Sequence, residues 1–191
     1  MSDVDRTPPA AAITERLAAR VPGLAVVPVP SVDAPTVVVP SDRLLETCEA
    51  LAQDSAFGFT LLIDIVGVDY LSREPRYELV YHLVSIERAE RLRLKVPVAG
   101  ADPRVASVTG VWPAAGFLER EVWDLFGIVF DGHGDLRRLL TPDDWEGHPL
   151  RKDYPVQIKL KPTAGEPLQM TEQEFKANIE ADRQKRGGRG A

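Results

Sequence analysis

Apolar residues recur every three or four positions in three stretches of the chain, a spacing that predicts amphipathic helices. In the first stretch Ile13, Leu17 and Val21 share one face, and Gly23 can take the left-handed conformation that ends many helices. The second helix is expected to begin at Ser41, whose hydroxyl can accept a hydrogen bond from a free backbone amide. Its apolar stripe turns the cysteine toward the core and consists of Leu44, Leu45, Cys48, Leu51 and Ala52.

A third helix is predicted between Pro113, which suits a first helical position, and Gly127, which can end the helix. Glu121 falls among its apolar residues, and a buried carboxylate without a partner is strongly destabilising. We therefore expect Glu121 to pair with Arg137 or Arg138; the alternative is a rotated helix that leaves Glu121 at a solvated edge. The residues assigned to the apolar face are Phe117, Leu118, Val122, Leu125 and Phe126.

Four stretches have the composition of β-strands. Residues 37–39 are β-branched, and residues 59–68 are almost continuously apolar, which is typical of a strand covered on both faces. Residues 77–85 follow a turn signal, and residues 91–96 alternate basic and apolar side chains as a half-exposed strand does. The last three stretches are expected to form a meander. The sequence therefore predicts an α+β domain over residues 1–130, with a short N-terminal lead and helices on one side of a mainly antiparallel sheet.

Two aspartates near the most apolar strand raise the question of acid–base chemistry. Asp64 and Asp69 are an odd number of residues apart, so in a regular strand they point to opposite faces. They are therefore not expected to act together on one substrate atom. We expect Asp69 instead to close the strand through a side-chain-to-backbone turn before Tyr70.

Length and charge exclude several classes of protein. A chain of 191 residues with 44% hydrophobic residues is long enough for one domain with a buried core. A net charge of -6 argues against nucleic-acid binding. No apolar run approaches the roughly 18 residues that span a bilayer, and the N-terminus lacks the features of a signal peptide, so we expect a cytoplasmic location. The single cysteine is too few for a disulfide, an iron–sulfur cluster or a cysteine zinc site.

Residues 131–155, called the interface arm below, have neither a helical nor a strand period. Charged residues, glycines and prolines alternate there with apolar residues such as Leu136, Trp145 and Tyr154. A disordered segment would lack those apolar anchors. Because a loop of this length is uncommon in a compact domain, we expect it to be ordered against the domain and against neighbouring chains. In the tail, residues 156–191, a capping-box spacing predicts a short helix from residue 172.

The third helix and the interface arm together carry a family resemblance. The chain reads LEREVWDLFGI from residue 118, GH from residue 132, DLRR from residue 135 and PDDWEGHPLRKDYP from residue 142. These blocks resemble the signature of the C subunit of the proton-pumping NADH:quinone oxidoreductase, respiratory complex I, and Asp64–Tyr70 is similar to a strand ending of that family. Gly134 stands where the family usually has proline, so the loop after His133 is expected to be less rigid.

The resemblance implies a scaffold subunit in the peripheral part of the complex, on the cytoplasmic side of the bacterial inner membrane. It implies that this chain binds no cofactor and has no catalytic residue of its own. Partner subunits would hold the FMN and the iron–sulfur clusters that carry electrons from NADH to quinone. The expected partners are the hydrophilic subunits of the complex, especially those of the quinone site and of the terminal iron–sulfur cluster. Contact with the membrane is expected only through the complex.

The resemblance also places the interface residues. Arginines of the interface arm are expected to bind carboxylates of neighbouring subunits, while Trp145 and Tyr154 anchor the contact. The residues expected at subunit interfaces are Glu119, Glu121, Asp124, His133, Asp135, Arg137, Arg138, Asp143, Asp144, Trp145, His148, Arg151, Lys152, Asp153 and Tyr154.

Three alternatives stay open at this point. His133 and His148, with two aspartates of the interface arm, are ligand types of zinc or manganese hydrolases, although their spacing is not that of a helical metal motif. Basic residues within 183–189 are consistent with weak contact to a membrane or a nucleic acid. Related hydrogenase and other donor:quinone complexes contain similar subunits, so this chain does not determine the electron donor.

Overall fold

A computed structural model describes residues 10–155 of the chain. The chain divides into two compact units, Met1–Tyr154 and Pro155–Ala191, so residues 131–154 of the interface arm belong to the same unit as the sheet. The helix predicted from residue 172 and the basic C-terminal residues lie outside the described residues. In chain order the elements are α1 (Ala10–Arg20), β1 (Val27–Val29), β2 (Thr36–Val38), α2 (Leu44–Gln53), β3 (Leu61–Asp69), β4 (Tyr77–Ser85), β5 (Glu90–Val98), β6 (Arg104–Ala106), α3 (Ala115–Phe126) and β7 (Val129–Asp131).

The main sheet has five strands in the order β1-β2-β5-β4-β3. Strands β3, β4 and β5 form the predicted antiparallel meander, with Ile65 opposite Tyr81 and Tyr81 opposite Leu94. Strand β2 joins β5 in parallel, so the sheet is mixed, and β6 and β7 form a separate parallel pair. The α+β fold with a largely antiparallel sheet is therefore confirmed.

The three helices contribute to one hydrophobic core with the inward side of the sheet. Cys48 lies in this core with no exposed surface, as its place in the α2 stripe predicts. Burial in apolar surroundings raises the pKa of the Cys48 thiol, so a reactive thiolate is disfavoured. Fully buried core residues include Ile13 and Leu17 of α1, Leu44 and Leu51 of α2, Leu79 and Tyr81 of β4, and Leu94 and Val96 of β5.

Strand β3 is one of the two edge strands of the sheet and is not covered on both faces, so that part of the prediction is wrong. Leu62 and Ile65 point into the core, but Leu61 and Ile63 on the outward side are 41% and 54% exposed. The strand lies at the sheet edge, and α3 packs against its inward side, where the Phe126 ring contacts Gly67. A register shift between Leu62 and Asp64 places the extra residue at Ile63.

The two aspartates of β3 lie on opposite faces of the sheet, as their odd spacing predicts. Asp64 stands opposite His82 on the outward side, whereas Asp69 is buried opposite Tyr77. The Leu71 amide donates a hydrogen bond to Asp69 Oδ1 at 2.8 Å, which confirms the predicted turn after the strand.

The start of α2 differs from the prediction. Ser41 makes no capping hydrogen bond, because a 3₁₀ turn over Ser41–Arg43 leads into the helix, which itself begins at Leu44. In that turn the Arg43 amide donates to the Pro40 carbonyl at 3.1 Å. The turn thus satisfies a backbone group that the hydroxyl cap was expected to satisfy.

Crossing a bilayer requires a helix of sufficient length and hydropathy. No helix within residues 10–155 is both long enough and apolar enough to cross a bilayer.

Candidate functional site

Helix α3 buries a face rotated from the one the sequence predicts: Leu118, Val122, Leu125 and Phe126 contact the core as expected, but Phe117 is exposed. It begins at Ala115, two residues after Pro113, and ends at Gly127, whose φ of +72° confirms the left-handed end. Phe126 packs so closely on β3 that a Cβ on Gly67 would lie 2.7 Å from its ring. Phe117 is nine residues before Phe126, which at 100° per residue puts it on the opposite side of the helix. The residues that do face inward at helical spacing are Ala115, Glu119, Val122 and Phe126.

Glu121 is exposed, so its predicted place in the buried face and its predicted pairing with Arg137 or Arg138 are both wrong. The rotation of α3 explains the error. Arg137 binds Asp135, the neighbouring acid of the interface arm, at 3.0 Å. Arg138 binds Asp124 instead, at 2.9 Å.

Glu119 is one of two carboxylates that α3 buries, and Asp124 is the other. It has no exposed surface, and it accepts hydrogen bonds from the Ser107 hydroxyl and the Val108 amide, both at 2.7 Å. Burial raises the pKa of Glu119 despite these two donors. Glu119 therefore ties α3 to the segment after β6 and does not reach the surface.

Asp124 fixes the middle of the interface arm. Its fully buried carboxylate accepts three backbone amides on Oδ2, from Leu139 at 3.0 Å, Leu140 at 2.8 Å and Thr141 at 2.9 Å. Oδ1 accepts the Thr141 hydroxyl at 2.5 Å and the Arg138 guanidinium at 2.9 Å. Burial alone would raise the pKa of Asp124, but the donors from Thr141, Arg138 and Leu139 hold it well below its usual range.

The interface arm also satisfies the backbone carbonyls at the C-terminal end of α3, which have no partner within the helix. The Asp124 carbonyl accepts from Arg138 at 3.1 Å and lies 2.9 Å from His148 Nδ1, which therefore carries the ring hydrogen. The Leu150 amide donates to the Leu125 carbonyl at 3.0 Å. Arg151 donates to the Phe126 carbonyl at 2.5 Å. Two cations thus stand at the negative end of the helix dipole.

A second buried carboxylate holds the far end of the interface arm. Asp69 at the end of β3 binds Arg76 through both oxygens, at 2.9 and 2.7 Å, and accepts the Lys152 amide at 2.8 Å. Arg76 also reaches Asp153 at 2.9 Å. The Arg76 guanidinium is the main reason that the pKa of Asp69 lies well below its usual range.

Arg138 links the middle of the interface arm to residues 145–147 of the same segment. Besides Asp124 it donates to the carbonyls of Trp145 at 2.8 Å and Gly147 at 2.9 Å, and it lies 5.4 Å from the Trp123 ring centroid. Its side chain is only 14% exposed. The arginines that were expected to reach partner carboxylates, Arg137, Arg138 and Arg151, all bind groups of this chain, although Arg137 stays exposed beside Asp135.

The other predicted interface residues lie on or near the surface of the interface arm. His133 accepts the Asp135 amide on Nδ1 at 3.0 Å, so its Nε2 carries the hydrogen that bonds the Gly116 carbonyl at 3.0 Å. The Tyr154 hydroxyl donates to the Glu146 carbonyl at 2.9 Å. Trp145 is half-buried, and the exposed charged residues are Asp135, Arg137, Asp143, Asp144, Lys152 and Asp153.

Three residues outside the predicted set prove important for this geometry. Asp69 and Arg76 hold Lys152 and Asp153, and Arg120 donates to the carbonyls of Arg137 and Arg138 at 3.3 and 3.1 Å. The sequence does contain a signal for the first two: Asp69 ends an apolar strand, and the basic Arg76 comes just before the next strand. Nothing in the sequence shows that the interface arm returns to that point.

The described part of the chain contains no cluster of side chains suited to bind a metal ion. Within residues 10–155 no three side chains of His, Cys, Asp or Glu are grouped to hold a metal ion. His133 and His148, the histidines of the hydrolase alternative, each direct a ring nitrogen to a backbone carbonyl of α3.

The sequence comparisons agree on one family. Residues 37–159 match the family described as respiratory-chain NADH dehydrogenase, 30 Kd subunit. The C subunit of NADH-quinone oxidoreductase from Roseiflexus sp. (strain RS-1) is 50% identical over 121 residues, 63% of this chain and 70% of that one. The corresponding C subunit from Methylobacterium sp. (strain 4-46) is 43% identical over 173 residues, 86% of this chain and 80% of that one.

Two solved structures share the fold. One is the trypsin-resistant fragment (1-134) of Nqo5, with a TM-score of 0.55 and 40% identity over 66% of this chain and 98% of that one. The other is a chain of the membrane-bound sulfane sulfur reductase, an archaeal respiratory membrane complex, with a TM-score of 0.65 and 27% identity over 76% and 85%. The fold and the relatives define the class, a subunit of a multi-subunit respiratory complex. Within that class, the chain belongs to the family of NADH-quinone oxidoreductase (complex I) C subunits.

Proposed function

We propose that this chain is a scaffold subunit of a proton-translocating NADH:quinone oxidoreductase. Its interface arm docks neighbouring subunits, and cofactors held by those subunits carry the electrons from NADH through flavin and iron–sulfur centres to quinone. The observation that carries the proposal is the attachment of the interface arm at Asp124 and Asp69. Both side chains are fully buried in this one chain.

The contacts of the interface arm support a docking role. Asp124 and Asp69 together fix amides or side chains of five of its residues, and α3 receives hydrogen bonds from four more positions of the same segment. A segment held in this way binds a partner without first losing the conformational freedom of a loop. Both of its imidazoles and two of its three arginines, Arg138 and Arg151, bind backbone carbonyls, which favours a structural role for them over catalysis.

The partners in this proposal are the subunits of the quinone site and of the terminal iron–sulfur cluster, on the cytoplasmic side of the membrane. The likeness to a chain of the sulfane sulfur reductase complex supports a second candidate, the equivalent subunit of a related membrane-bound complex with another electron donor. Purification of the native complex through a tag on this chain, with identification of the co-purified subunits, distinguishes the two. Recovery of the flavin-containing NADH-oxidising subunit supports the first.

Two variants test the scaffold role. Arg138→Ala leaves the buried Asp124 without its cation, and Asp144→Ala removes an exposed charge of the interface arm. In a strain that lacks the natural gene, both variants should lower the amount of assembled complex on native gels, and NADH:quinone activity should fall in the same proportion. Purified Asp144→Ala protein should unfold at the wild-type temperature. Normal assembly without turnover would contradict the proposal, because the interface arm would then act in the reaction itself.

Cofactor content is a separate test of the same proposal. The purified chain should contain no flavin by absorbance and no stoichiometric iron or zinc by elemental analysis. Stoichiometric iron, zinc or flavin in the purified chain would refute the scaffold assignment and would support a catalytic role.

A further inference from the structure

The outward side of α3 continues into the interface arm as one surface. Phe117, Glu121 and Asp124 fall within about 60° of one another around the helix axis. Along that axis Glu121 lies about 6 Å from Phe117, and Asp124 lies about 10 Å from it. The interface arm covers Asp124 with Leu139 and Leu140, whose amides bond its carboxylate. It leaves the first turns of the same helix side open. Phe117 is 66% exposed and Leu140 is 61% exposed, and Glu121, which lies between Phe117 and Asp124 along the helix, is exposed as well.

This surface has a fixed base. Arg120 lies beneath it with a side chain only 12% exposed, 6.0 Å from the Phe117 ring centroid, and it donates to the carbonyls of Arg137 and Arg138. The backbone beneath Leu140 is held by Asp124. The exposed apolar groups therefore stand on backbone that is bonded to the domain, which limits the conformational entropy lost on binding.

The charge of the surface identifies the kind of partner. Among the described residues Glu121 forms no ion pair, and neither do Asp143, Asp144 or Glu146 of the neighbouring loop. Arg138 and Arg151 are turned inward onto the carbonyls of α3, and the exposed Arg137 is paired with Asp135. The surface thus combines exposed apolar groups with uncompensated negative charge. A complementary partner is basic and apolar, and like charge would be rejected.

We propose that Phe117, Glu121 and Leu140 form a docking site for a segment of one neighbouring subunit that presents a lysine or arginine between apolar side chains. The basic group pairs with Glu121, while the apolar groups cover Phe117 and Leu140. An exposed aromatic on a fixed base is the kind of residue that dominates binding at an interface. This inference rests on the proposed scaffold function, and it names the chemistry of the partner at that scaffold.

The test compares two variants with two matched controls in the full chain. Phe117→Ala and Glu121→Lys should each lower the recovery of partner subunits with the tagged chain by about tenfold or more. The controls are Ile86→Ala and Glu87→Lys, because both side chains are exposed on the turn between β4 and β5, and Ile86 is 69% exposed. The controls should recover wild-type amounts. All four proteins should unfold at the wild-type temperature, since none of the changed side chains is buried.

The identity of the occupant is tested by light-induced cross-linking from Phe117→p-benzoylphenylalanine in the assembled complex. The expected product joins this chain to a peptide of one other subunit that contains a lysine or arginine flanked by apolar residues. Changing that basic residue to glutamate should restore recovery of the Glu121→Lys variant. A cross-link to a second copy of this chain, or to a peptide without a basic residue, would overturn the inference. So would equal recovery of the variants and controls while the wild type assembles normally. Failure of the wild type to assemble would instead refute the scaffold function.

Discussion

Asp124→Asn is the substitution that probes the attachment of the interface arm most directly. The carboxylate has five donors and no exposed surface. Asparagine has one oxygen, which can keep the three amides of Leu139–Thr141. Its amide nitrogen then faces the Arg138 guanidinium, so the charged hydrogen bond is replaced by a contact between two donors. Breaking a buried ion pair costs about 3–5 kcal/mol, and we expect the free energy of unfolding to fall by about 3 kcal/mol.

Denaturant unfolding of the purified chain measures this change. The midpoint should fall without a change in the slope, and hydrogen exchange should accelerate at the amides of 139–141. Asp144→Asn is the matched control, because Asp144 is an exposed acid of the same segment and its change should leave the midpoint unaltered. A loss below about 1 kcal/mol for Asp124→Asn would refute the reasoning, because it would place the Asp124–Arg138 pair in the range of exposed ion pairs.

The pH dependence of stability gives an independent check on the same carboxylate. The pKa of Asp124 is depressed in the folded protein, so its contribution is fully present above the unfolded value, about 3.9 for an aspartate. That contribution is lost as the pH falls below about 4 toward the folded pKa. The wild type should therefore lose more stability than Asp124→Asn between pH 5 and acid pH. Equal losses would contradict the assignment of the depressed pKa to Asp124.

Three further predictions concern single positions. Gly127→Ala should destabilise the chain by about 1–3 kcal/mol because φ is +72° and a Cβ would overlap side chains of the interface arm; thermal unfolding measures this, and Gly110→Ala, which has open space, should be neutral. Asp69→Asn should speed hydrogen exchange at the Lys152 amide while leaving the amides near Asp124 protected, and uniform loss of protection would show that the two attachments are not separate. Cys48 should react with a thiol reagent only after unfolding, and rapid reaction of the native chain would contradict its burial.

The sequence predicts the elements of the fold better than it predicts which face of α3 is buried. The meander, the three helices and the buried Cys48 follow from hydrophobic periods that the structure retains. Phe117 and Phe126 both look like core residues, but nine positions separate them, and only one can face the sheet. Phe126 faces inward because Gly67 opens space for it on β3, a contact between residues far apart in the chain. A helical period alone contains no information about that contact.

The contacts of the interface arm also depend on residues that are far apart in the chain, so local sequence patterns do not predict them. The sequence shows arginines and aspartates in one segment, and nothing local tells which of them meet each other. In the structure Arg138 and Arg151 lie against the end of α3, where four backbone carbonyls need donors. Within the chain these arginines therefore bind backbone carbonyls of α3, whereas the sequence-based prediction assigned them to carboxylates of partner subunits. Asp69 and Arg76 are a further case, because their contacts with Lys152 and Asp153 join segments about 80 positions apart.

These contacts separate two kinds of charged residue in the segment that carries the family resemblance. Asp124 and Arg138 are buried, and their loss would loosen the backbone of the interface arm wherever a partner binds. Glu121 and Asp144 are exposed, and their loss would change what the surface attracts without changing its shape. A substitution in the first pair should therefore alter both stability and assembly, whereas one in the second pair should alter assembly alone. Measuring both quantities for the same variant consequently distinguishes a residue that builds the docking surface from a residue that the partner contacts.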